Sequence, residues 1–178
     1  MKNTVKILVA ALFVISFISC RKVKDDVNDL VQFDINYTTL QTIPASSVSV
    51  SGPAEFTTPN IPTQSASTFK SYNTSAEMIE EIKMTKFAIT NQSGNLDFLK
   101  SISVYIRANG LNDMLVATKS EIPHGATSVS CDMSGANIRQ HIFKDSISFK
   151  ISVTVNNIPS SSQLLKLDQT VHVKGKIL

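Results

Sequence analysis

Along much of this chain apolar and polar residues alternate one for one. Val31, Phe33, Ile35 and Tyr37 are interleaved with Gln32, Asp34, Asn36 and Thr38. The same pattern returns in Val48-Ser49-Val50, in Ile102-Ser103-Val104-Tyr105-Ile106 and in Ile147 to Val155. Period two is the signature of a strand with one face in a core and one in water. The stretch from Leu165 to Ile177 supplies a closing strand with lysines on its outer face, and further strands are expected between Glu81 and Thr90 and over Met114 to Thr118. Helix signals are few: Asn73 or Ser75 as a cap over Ala76 to Glu80, and Ser134 as a cap over Ala136 to Phe143. Turn-forming residues fall at Asn91 to Asn95, Ala108-Asn109-Gly110, Ile122 to Gly125 and Asn156 to Pro159. Short strands joined mostly by turns make the expected fold all-β: an antiparallel β-sandwich, immunoglobulin-like or jelly-roll-like, with one or two short helices. Phe33, Ile35, Val104, Ile106, Phe149, Ile151 and Val153 are assigned to its inner faces. The segment Thr42 to Ser75, rich in Ser and Thr and holding Pro44, Pro53, Pro59 and Pro62, reads as an excursion or a weakly ordered edge.

The N-terminus has a different composition. Met1 to Lys6 carries two lysines and no acid, and an apolar run from Ile7 to Ile18 follows, interrupted only by Ser16. A helix that spans a bilayer needs roughly 20 apolar residues, so the run fits an export signal better than a permanent anchor. It stops on Phe17-Ile18-Ser19-Cys20, which resembles the lipobox of bacterial lipoproteins, although Phe17 stands where that motif usually has Leu. The resemblance implies that lipid is attached to the Cys20 thiol, that cleavage falls between Ser19 and Cys20, and that the mature chain is held on a membrane. Each buried methylene contributes about 0.8 kcal/mol, so two or three acyl chains make release negligible.

Arg21 to Asp26 follows as a charged tether. Its Lys24-Asp25-Asp26 part resembles the export signal of surface lipoproteins in the Bacteroidota, which favours the outer membrane and opens the cell surface as a location. A plain hydrophilic linker is the other reading of those three residues. The expected layout is a signal over residues 1–19, a lipidated cysteine and tether over 20–29, and one domain over 30–178.

Removal of Met1 to Ser19 leaves 159 residues, enough for one domain with a proper core. Lys2 and Lys6 leave too, and the remaining 15 basic residues nearly balance 14 acidic ones. No nucleic-acid partner is expected from such a balance. With Cys20 lipidated, Cys131 has no partner in the chain and reads as a small buried hydrophobe, in phase with Val129.

The mature chain also resembles small uncharacterised lipoproteins of the Bacteroidota, in Phe33-Asp34-Ile35-Asn36-Tyr37 with Ile43-Pro44 behind it, in Ile79 to Lys86, and in Phe98 to Ile102. That family implies location and fold, and no activity. Nucleophile elbows, phosphate loops, His-Glu-x-x-His and paired-cysteine metal motifs are absent from the sequence. His124, His141 and His172 read as ordinary surface histidines, and no metal or other cofactor is expected. Carbohydrate binding is weakened by the absence of Trp and by only three tyrosines, Tyr37, Tyr72 and Tyr105. Polar loops remain able to make such a site. Asp145-Ser146-Ile147 resembles the O-glycosylation acceptor of the Bacteroidota, with Ser146 as the modified residue; a simple Asp turn is the alternative. The functional expectation is a non-catalytic, lipid-anchored envelope module whose partner is an envelope protein or a glycan. A carbohydrate-binding surface module and a hydrolase without a recognisable motif are the alternatives.

Overall fold

A computed structural model describes residues 31–175. Residues 1–19, read above as an export signal, and Cys20, Lys24, Asp25 and Asp26, read as lipidation site and surface-export signal, lie outside the described residues. Among the described residues ten strands form two antiparallel sheets: β1 (Gln32–Ile43), β2 (Ala54–Thr57), β3 (Ile61–Pro62), β4 (Ile79–Asn91), β5 (Leu99–Ala108), β6 (Met114–Lys119), β7 (Ser128–Ser130), β8 (Asp132–Met133), β9 (Ser146–Val155) and β10 (Gln163–Gly175). Two short helices accompany them, α1 (Ser65–Ser71) and α2 (Arg139–Ile142).

The first sheet has the order β1-β10-β4-β7 and the second β2-β9-β5-β6-β8, with β3 also on β9. Strands pair as a nested series: β1 with β10, β2 and β3 with β9, β4 with β7, β5 with β6. A long antiparallel ribbon rolled into two layers gives this pairing, which is the jelly-roll form of the sandwich. The layers meet through alternate residues. Phe87 of the first sheet and Phe149 of the second are fully buried and meet edge to face, ring centroids 5.4 Å apart. Val104, Ile106, Ile151 and Val153 join the same core, as their phase predicts. Ile35, on the outermost strand, is only half-buried, while Phe33, Tyr37 and Ile43 on the same face of β1 are buried.

Several expectations need correction. Val48-Ser49-Val50 is a tight turn closed by a single bridge between Ser49 and Gly52; Val48 is buried and Val50 is 61% exposed. Thr42 to Ser75 is no loose excursion, since it supplies β2, β3 and α1. Asn73 does not start a helix but ends α1. It adopts a left-handed φ of 54°, and the bonds Asn73 N to Lys70 O and Thr74 N to Phe69 O complete a Schellman closure. Ser75 does precede a helical turn, Ala76–Met78, but that turn is of the 3-10 type, and β4 begins at once behind it. The second helix shrinks to one turn, and Asn137 Oδ1 rather than Ser134 accepts from the backbone at its start (Arg139 N, 3.1 Å).

Where β2 gives way to β3, Thr58 holds the edge together. Its N–H donates to Phe149 O, and the Phe149 N–H donates to Thr58 Oγ1, both at 2.9 Å. The hydroxyl thus takes the ladder bond that the backbone drops as Pro59 turns outward. Thr58→Val keeps the shape and leaves a buried N–H without an acceptor. We expect a stability loss of about 1–3 kcal/mol by urea unfolding of the full chain, with Thr58→Ser close to wild type. A Val variant as stable as wild type would refute this role.

Candidate functional site

At the end of the sandwich where β5 and β6 are joined lies an open cleft of about 380 Å³. Its walls carry Asn60, Arg107, Asn109, Asp113, Ser146 and Ser148. Local structure sets each one. Arg107 points outward near the end of β5, and Ser146 and Ser148 lie on the adjoining β9. Asn60 follows the Pro59 break between β2 and β3. Asn109 and Gly110 form the β5–β6 turn, where Gly110 has a φ of 73°, a conformation that a side chain would strain.

The charges around the cleft neutralise one another. Asp113 accepts from Arg107 Nε at 2.9 Å through one oxygen and lies 3.1 Å from Lys150 Nζ through the other. Lys150 also reaches Glu55 at 3.8 Å and lies 4.7 Å over the Tyr105 ring. The hydrogen bond from Lys150, and next that from Arg107, hold the Asp113 carboxyl below the ordinary carboxylate range despite some desolvation. Asp113 therefore stays ionised into mild acid. Two cations and two anions cancel, and what remains facing the cleft is amides, hydroxyls and the rest of the Arg107 guanidinium. Such groups bind by hydrogen bonding and shape.

Ser146 is the first residue of β9 and stands half-buried on the cleft wall; the exposed residue of the Asp145-Ser146-Ile147 motif is Asp145. The three histidines are not brought together. His124 is 95% exposed beside Asp97, and His172 lies on the outer face of the first sheet, 2.8 Å from Asp34. His141 departs from the surface expectation: it is 3% exposed, with Nε2 3.1 Å from Asn112 O. No group of three potential metal ligands occurs among the described residues.

Of the three tyrosines only Tyr72 is largely exposed, at 45%. Tyr37 is in the core, donates to Thr63 O at 3.3 Å and is pushed by burial up to about 12. One face of Tyr72 is stacked on Phe33 at 3.9 Å, and Tyr105 lies under Lys150. Cys131 is buried as expected, where the chain leaves β7 for β8, and burial pushes its thiol up to about 11. The thiol stays protonated and packs as a hydrophobe. The sequence reading missed Asn60, Arg107, Asn109, Asp113 and Lys150 as a group, since Asn60 and Lys150 stand far along the chain from the Arg107 to Asp113 turn and no motif joins them.

No protein-family model matches the chain, and no curated protein does. Among solved structures it is similar to the cyanophage Pam1 capsid asymmetric unit, at 6% identity over 79% of this chain and 85% of that one, with a TM-score of 0.42. It is also similar to the structure of Triatoma virus (11% identity, 85% of this chain and 68% of that one, TM-score 0.39). A third is infectious bursal disease virus, Gt strain (12% identity, 79% and 31%, TM-score 0.39). Likenesses at this level bear on neither the function nor the assembly of this chain.

Proposed function

We propose that the chain is a lipid-anchored module of the outer cell envelope that binds or supports a partner without catalysing a reaction. The anchor reading comes from Cys20 and the run before it. The binding reading is carried by one observation: the charged groups at the cleft are engaged with each other, and none is poised as a free base or nucleophile. In-cell crosslinking from a photoreactive residue in place of Asn109, at the cleft rim, is expected to yield one defined envelope partner. A chain that crosslinks to nothing while turning over a substrate would overturn the proposal.

The lining of the cleft favours a second reading, a glycan as the ligand. Side-chain amides, hydroxyls and a guanidinium are the groups that meet sugar hydroxyls, and about 380 Å³ is room for a small saccharide. On a glycan array the detergent-solubilised full chain should bind a restricted set of glycans, and Asn60→Ala should weaken that binding at least tenfold. Absence of binding at high protein concentration rules this ligand class out.

A further inference from the structure

A β-sheet ends in two edges, each an open row of backbone donors and acceptors that invites another strand. Three of the four edges here are blunted. β7 has three residues and β8 two, while the β2–β3 edge is broken at Pro59 and carries Pro62. The fourth edge is β1. It runs for 12 residues, paired with β10 in unbroken register on one side and with no strand on the other among the described residues. Its sequence holds no proline and no basic residue, and its single charge is Asp34.

The phase of this strand is fixed. Gly175 N donates to Val31 O at 2.7 Å, and antiparallel pairs alternate, so odd-numbered residues of β1 bond to β10. The even-numbered residues Gln32, Asp34, Asn36, Thr38, Leu40 and Thr42 turn their N–H and C=O groups to the open side. Among the described residues only the Thr42 carbonyl is capped there, by Gln41 Nε2 at 2.8 Å. Leu40, 53% exposed, stands in the same row.

We propose that β1 is the docking edge for a second copy of this chain, the two β1 strands pairing antiparallel about a two-fold axis at Thr38. An antiparallel strand is its own complement, because a copy offers the same donors and acceptors at the same spacing. With the axis at Thr38, Asp34 of one copy faces Thr42 of the other, so no like charges meet. Asn36 faces Leu40, which is thereby covered, and Phe33 faces Ile43 on the inner side. The two first sheets become one continuous sheet.

Disulfide trapping tests this in the full chain in membranes. Residues on the axis of such a pair have Cα atoms about 5.5 Å apart, within reach of a disulfide. Mild oxidation of Thr38→Cys should give a band of twice the chain mass, whereas Ser103→Cys, on the outer face of the second sheet, should not. Asn36→Pro removes an N–H that faces the open side and spares the β10 ladder. Thr38→Lys sets two ammonium groups together on the axis and keeps every backbone bond. Sedimentation of the full chain in detergent should show a wild-type dimer and at least tenfold weaker association in both variants. The proposal fails if wild type is monomeric at tens of micromolar, if Thr38→Cys links no faster than Ser103→Cys, if the dimer survives Thr38→Lys, or if Thr38→Cys traps a different protein.

Discussion

Cys20→Ser is expected to accumulate as an unprocessed precursor, heavier than the mature chain by the signal peptide and unlabelled by radioactive fatty acid. Serine keeps nearly the size of cysteine and replaces the thiol, the group that lipid transfer alkylates in proteins with this motif, by a hydroxyl. Lipoprotein peptidase acts on the lipidated cysteine, so the uncut signal should follow from the missing lipid. Wild type should run as a shorter, detergent-soluble, labelled form. Fractionation is the weaker measurement, because an uncut apolar run from Ile7 to Ile18 is expected to tether a precursor weakly to the inner membrane by itself. Fatty-acid labelling separates the two. A Cys20→Ser chain that is cut and labelled like wild type would remove the anchor, and the envelope assignment with it.

The second large effect lies at the centre of the sandwich. Phe149 is fully buried, meets Phe87 across the two layers at 5.4 Å, and faces Ile106 in the next strand. Phe149→Ala removes most of a ring from a position where neither sheet can close over the gap. A loss of about 3–5 kcal/mol is expected in urea unfolding of the full chain. Ile158→Ala, at an exposed site away from β1, should change stability by no more than about 0.5 kcal/mol. A loss below about 1 kcal/mol for Phe149→Ala would mean that the face assigned inward is not the core.

These residues also show what the sequence makes legible. Phe149, Ile151 and Val153 share a phase with no interruption, as do Val104 and Ile106, and both strands are found where alternation places them. In β4 the signal is scrambled by a bulge. Lys86 pairs with Thr170 and Met84 with Val171, so Thr85 is the extra residue. Ile82 and Met84 are buried before it, Phe87 and Ile89 after it, and the inward phase passes from even to odd numbers. Alternation alone locates that strand without fixing its faces.

The stretch Thr42 to Ser75 was opaque for other reasons. β2 and β3 are too short for a period to show, and α1 reads Ser-Ala-Ser-Thr-Phe-Lys-Ser, with Phe69 its only buried residue. Tertiary packing of that one ring, against Phe33 and Phe143, holds a helix that propensity would not suggest. The cleft was hidden most completely. Arg107, Asp113 and Lys150 are ordinary outward-facing residues in their own segments, and only the pairing of β5 with β9 and β6 makes them neighbours.

The nested pairing also governs the order of events when the chain is made. β10 lies between β1 and β4 in the first sheet, and it is the last of the ten described strands to leave a ribosome. Until Gln163 to Gly175 arrives, β1 and β4 have no common neighbour and the core has no lid on that side. Contacts such as Gln32 with Lys174 join the two ends of the domain, so loop closure is nearly as long as the chain allows. The first sheet is therefore completed only after β10 has emerged. In a sandwich of this topology the strand that completes the first sheet is also the last of the ten to be made.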